Sequence, residues 1–96
     1  LAGWASRPTT AEMQSMWSKF TQKWIDYTTD SIQTERDRNA APDTVPARDL
    51  AIALNLMNER TMFAAYAAEK DSIAHDQIVN TLAHIWVTSI YGTAPN

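Results

Sequence analysis

The chain has 96 residues and no cysteine. That excludes a disulfide framework and any thiolate metal site, and it suits a reducing compartment such as the cytoplasm. Long apolar runs are missing as well: nothing approaches the roughly 18 residues of a membrane span, and no segment resembles a signal peptide. Basic charge is scarce. Eight Lys and Arg stand against eleven Asp and Glu, with net charge −3 and a pI of about 5.1. A free-standing nucleic-acid binder needs clustered basic residues, so that class is excluded for this stretch. There is no internal repeat, heptad run or low-complexity tract.

What is present is apolar and aromatic. The composition is 45% hydrophobic with four tryptophans, which rules out a disordered segment. At this length the chain is one small domain at most. It opens "LAGWASRP", without an initiator Met and with apolar residues already in place. We expect it to be part of something longer.

Periodicity predicts an all-α chain of three long helices and no strands. The first opens at a capping box, Thr9 to Glu12, just after Pro8. Met13, Met16, Trp17, Phe20, Trp24, Tyr27 and Thr28 recur at three- and four-residue steps and define a dry face. The helix ends in "TERDRNAAPD", read as a solvated end and surface loop marked by Asn39, Pro42 and Asp43. The second helix starts at Pro46, with Asp49 near its positive end, and runs to about Ala68. Asn55, Glu59, Met62 and Tyr66 share one face; Leu50, Ala53, Met57, Ala64 and Ala68 lie opposite. The third begins near Asp71 or Ser72 and stops at Gly92. Ile78, Val79, Leu82, Ile85, Trp86, Val87 and Ile90 spread around more than half of it, so it needs burial on two sides. Three helices cannot supply that for both the second and the third. Further chain, a second subunit, or both are expected to cover them.

The catalytic inventory is thin, and no metal or cofactor is expected. His75 and His84 are nine residues apart, on opposite sides of one helix, and cannot share a metal locally. A solvated His75 and a hydrogen-bonded His84 at a packed interface are expected. Glu59 has no nucleophile, Gly-rich loop or second carboxylate at helical spacing beside it, so an enzyme is the weaker reading.

The segment "LNLMNERTMFA", residues 54 to 64, poses a sharper question. Asn55, Asn58 and Glu59 face one way among apolar neighbours. They face water, brace a neighbouring helix, or hydrogen-bond a molecule from outside. Trp17, Trp24, Tyr27 and Thr28 reach the same neighbourhood if the first two helices pack antiparallel. Buried Trp and Tyr need polar partners. Aromatic walls with a few convergent polar groups describe a small-molecule pocket. A plain aromatic core in a structural interaction module remains the alternative.

Three stretches carry a resemblance: "KWIDYT" at 23–28, "ALNLMNERTMFA" at 53–64 and "LAHIWVTSIYG" at 82–92. Together they resemble the C-terminal half of the EthR branch of TetR-family transcriptional repressors, from about Trp4 to Gly92. The resemblance implies that residues 1–96 are the C-terminal part of a ligand-binding and dimerisation domain. It implies a homodimer through the last two helices, and operator binding through an N-terminal helix-turn-helix domain that lies outside this sequence. It further implies a ligand tunnel lined by Trp17, Trp24, Tyr27, Thr28, Asn55, Asn58, Glu59, Phe63 and Trp86. Met62 adds a flexible wall, and Trp4 and Thr21 complete the candidate set. Asn58 would be the polar anchor, donating to a ligand carbonyl and accepting from a ligand N–H, with Asn55 and Glu59 orienting it or meeting a second polar group. Trp4 and Thr21 stand where the family pattern has Gln and Met, so the identity of the small hydrophobic or aromatic ligand does not carry over.

Overall fold

The computed structural model describes residues 9–92, and the architecture is three helices, α1 (Thr10–Asp37), α2 (Ala47–Tyr66) and α3 (His75–Tyr91). Among the described residues there are no strands. The capping box forms as expected: Thr9 is the N-cap and its hydroxyl accepts from the Glu12 N–H at 3.1 Å. α1 closes with Asn39 in the left-handed region, φ 61°. The N–H groups of Asn39 and Ala40 return to Arg36 and Glu35, a Schellman arrangement.

α2 ends the same way but earlier than expected. Ala68 adopts φ 54°, and the N–H groups of Ala68 and Glu69 return to Ala65 and Ala64. The helix therefore stops at Tyr66 rather than Ala68. The start of α3 shifts in turn. The Ser72 hydroxyl donates to the Glu69 carbonyl at 2.8 Å instead of capping a helix, and α3 begins at His75 behind Ala74, without a side-chain cap. Gly92 does terminate α3, at φ 94°, and its N–H donates to the Thr88 carbonyl. A Cβ there would meet Cγ of Pro42 at 3.2 Å, so Gly92 also seats the end of α3 against the α1–α2 loop.

The packed stripe of α1 is not the aromatic one. Ile25, Thr28, Ile32 and Arg36 are its buried residues, and Ile25 and Ile32 join Ala47 and Ala51 of α2 in the core, with Leu50, Ile52 and Ile90 against them. The expected dry face is instead open: Met13, Met16, Trp17, Phe20, Trp24 and Tyr27 are each about half exposed or more. On α2 the buried set is Ala47, Ala51, Leu54, Ala64 and Ala65, while Ala53 and Ala68 are exposed. On α3 only Leu82 is buried. The reason is thickness. The chain measures 58 × 31 × 17 Å, and a helix with its side chains is roughly 10–12 Å across. The helices form little more than a single layer, so each can bury one stripe and leaves its others open.

Ion pairs tie α1 to α2 and to the loop between them. Arg48 donates to Asp26 at 3.0 Å across the helices. The second corrects the sequence reading of "ERDR" as a solvated end: Arg36 is buried, and its guanidinium donates to Asp43 and Thr44, both at 3.3 Å. Its Nε has no hydrogen-bond partner among the described residues. Arg36 lies four residues after Ile32 and eleven after Ile25, on the same helical stripe, so its side chain runs inward and holds the loop from below.

Candidate ligand-binding site

The antiparallel approach of α1 and α2, with Trp86 arriving from α3, leaves an open apolar groove of about 1380 Å³. Its α1 wall is an aromatic ladder. Trp17 stacks on Phe20 with ring centres 5.8 Å apart. Phe20 meets Trp24 edge-on at 6.2 Å, and Trp24 meets Tyr27 at 6.0 Å. Steps of three and four residues set these rings on one side of the helix, and edge-to-face or offset contacts are the geometry such rings prefer.

Each polar side chain has a distinct arrangement. Asn55 Nδ2 donates to the Thr28 hydroxyl at 3.1 Å and to the Ala51 carbonyl at 2.8 Å. Thr28 in turn donates to the Trp24 carbonyl at 2.7 Å. Asn55 therefore braces α2 against α1, and it contacts neither Asn58 nor Glu59 by a hydrogen bond. Asn58 Oδ1 accepts from the Trp86 indole N–H at 2.9 Å. An indole nitrogen can only donate, so this bond fixes which end of the amide points where. The Asn58 NH2 is left without an acceptor among the described residues. Glu59 Oε1 accepts from the Trp17 indole N–H at 3.1 Å. Thus three of the sequence-predicted polar residues brace their surroundings, and each retains an atom, Asn55 Oδ1, Asn58 Nδ2 or Glu59 Oε2, with no side-chain or backbone partner among the described residues.

Of the candidate residues, Trp17, Thr21, Trp24, Tyr27, Thr28, Asn55, Asn58, Glu59, Met62, Phe63 and Trp86 all line this one groove. Trp4 lies outside the described residues. Sequence reasoning did not place Phe20, Leu56, Arg60, Ala65, Tyr66, His75 and Ile78 in the lining. Phe20 was legible, since it sits within the Trp17–Trp24 stripe. His75 was not. It is exposed, as expected of a solvated side chain, but its Nε2 also lies 3.1 Å from the Ala65 carbonyl, because the loop before α3 folds the start of that helix back onto the end of α2. The expected hydrogen bond of His84 at a packed interface is not seen: the side chain is exposed, and only its backbone carbonyl is used, by Thr88.

Arg60 closes one edge of the groove. Its guanidinium forms two hydrogen bonds to Glu69, at 2.9 and 3.2 Å, and lies 5.9 Å from the Phe63 ring centre. The pairing holds Glu69 below the usual carboxylate range and raises Arg60. Among the described residues no group of three metal-ligating side chains occurs, and no helix is long and apolar enough to cross a membrane.

Residues 1–92 match the family described as the C-terminal domain of the transcriptional regulator EthR. The chain is 58% identical over 91 residues to the HTH-type transcriptional regulator EthR of Mycobacterium tuberculosis, a match covering 95% of this chain and 42% of the relative. It is 53% identical over 94 residues to the regulator of the same name from Mycolicibacterium smegmatis, covering 98% of this chain and 43% of the relative. The chain thus spans about two-fifths of the length of these relatives. With three helices, an aromatic groove and this extent of identity, the chain belongs to the EthR C-terminal domain family of transcriptional regulators.

Proposed function

We propose that residues 1–96 are the effector-binding and homodimerisation part of a repressor similar to EthR, acting in the cytoplasm and reaching operator DNA through a separate N-terminal domain. The groove takes a small, largely hydrophobic ligand. Its occupancy favours a conformation whose two DNA-binding heads no longer match the operator spacing, and the repressor is released. The ligand shifts that balance only by its differential affinity for the two conformations.

The observation that carries this reading is the Asn58 amide. Its oxygen is committed to Trp86, its NH2 is uncommitted among the described residues, and rings of Trp24 and Tyr27, 47% and 66% exposed, line the same groove. These rings border the open groove and lie off the packed Ile25–Ile32 stripe of α1. The test uses the full-length protein in an operator gel shift with an aromatic amide added. Release of wild type, with a clearly higher ligand requirement for Asn58→Ala, supports the proposal. Release that is indifferent to Asn58 moves the site elsewhere.

A further inference from the structure

We infer that the Glu59 end of the groove is built for a protonated amine, so that the preferred ligands are cationic amphiphiles, an apolar body carrying one ammonium group. This rests on the reading of the groove as a small-molecule site and narrows the class of molecule.

Among the described residues, Glu59 is the one charged side chain lining the groove that has no ion-pair partner. Four ion pairs occur among the described residues: Arg36–Asp43, Arg38–Glu35, Arg48–Asp26 and Arg60–Glu69. None includes Glu59. Its sequence neighbour Arg60 is engaged through both terminal nitrogens with both oxygens of Glu69. The other ionisable nitrogen at the lining, His75 Nε2, faces a backbone carbonyl at the start of α3. Trp17 holds the Glu59 carboxylate through Oε1, which orients the group without neutralising it and leaves Oε2 for a donor that enters from outside.

The surroundings add to this selectivity. Trp17 and Phe20 are stacked, with an interplanar angle of 21°, and the electron-rich faces of such rings attract cations. A carboxylate beside an aromatic ladder is therefore a site that rewards positive charge twice. A neutral carbonyl ligand is served by Asn58 alone, and an acidic ligand meets like charge. At a half-open site, the two attractions together amount to roughly a tenfold preference for an amine over a neutral molecule of the same shape.

The experiment is calorimetric titration of the full-length protein at neutral pH with three matched probes: phenylbutylamine, phenylbutanol and phenylbutyrate. The expected order of affinity is amine, alcohol, acid, with the amine ahead of the alcohol by roughly tenfold at low salt and by less at high salt. Glu59→Gln keeps an oxygen for the Trp17 N–H and leaves the aromatic faces in place, so it should cut the amine-to-alcohol ratio from roughly tenfold to roughly threefold, whatever happens to the absolute affinities. An amine that binds no tighter than the alcohol in wild type, or an advantage undiminished in Glu59→Gln, overturns the inference while leaving the small-molecule reading in place. If none of the three binds the folded protein, that reading fails and the inference fails with it.

Discussion

Asn55 and Asn58 are one helical turn apart, yet their amides are held in opposite senses. Asn55 offers its nitrogen to protein acceptors, Thr28 and Ala51, whereas Asn58 offers its oxygen to a protein donor, Trp86. Replacing each by Leu separates the roles. Asn55→Leu strands the Thr28 lone pair between two helices and should lower the ligand-free melting temperature by the equivalent of roughly 1 kcal/mol. Asn58→Leu strands the Trp86 N–H at a similar cost, but it should also abolish the thermal shift produced by an aromatic amide, which Asn55→Leu should largely retain. Thermal unfolding of both full-length variants, with and without that ligand, checks the pair. Identical loss of the ligand-induced shift in both would remove Asn58's distinct status. The Asp26–Arg48 bridge is legible through pH. Hydrogen bonds from Arg48 and Gln22 hold the Asp26 carboxyl below its ordinary value of 3.8. A lowered carboxylate stabilises the fold above its unfolded value and stops doing so as pH falls through the folded one. Arg48→Ala should therefore move the Asp26 titration, followed by NMR, upward toward 3.8.

Helix ends were easier to read than helix faces. Thr9, Asn39 and Gly92 carry local chemistry that decides a terminus whatever lies nearby, and each does so here. The left-handed turn at Ala68 left no such mark, because alanine ordinarily avoids that conformation. This explains why both the end of α2 and the start of α3 were misplaced. Ala68→Gly should relieve the strain, with a net gain of about 0.5–1 kcal/mol after the added freedom of the unfolded chain is counted. A lower melting temperature for that variant would mean the Ala68 methyl makes contacts that outweigh its backbone cost. Faces are a different matter. The aromatic stripe of α1 and the Ile25–Ile32–Arg36 stripe both have helical spacing, and only tertiary contact chooses between them. The described residues that the resemblance named line one groove, while the direction of each amide followed from Trp86 and Thr28, which lie about thirty positions away and were beyond local pattern.

The chain as a whole has more face than interior. Val79 is 71% exposed and Val87 42% on α3, on a helix that buries only Leu82. A self-complementary contact of α2 and α3 across a two-fold axis would cover such residues. If the full-length protein is the homodimer proposed above, Val87→Asp should convert it to monomer or aggregate in light scattering; an unchanged dimer mass would put the interface on another surface. The acidic chain alone should show no sequence-dependent operator binding in a gel shift at physiological salt. The placement of its indoles has an optical consequence. Trp17, Trp24 and Trp86, the three tryptophans among the described residues, all border the groove. Two of them are tied to it by their N–H groups, to Glu59 and Asn58. Their fluorescence is thus a native gauge of what occupies that space. An apolar guest should move the emission to the blue, unfolding should move it to the red, and Trp86→Phe should remove the signal from the asparagine side, leaving Trp17 and Trp24 among the described residues to report from the α1 wall.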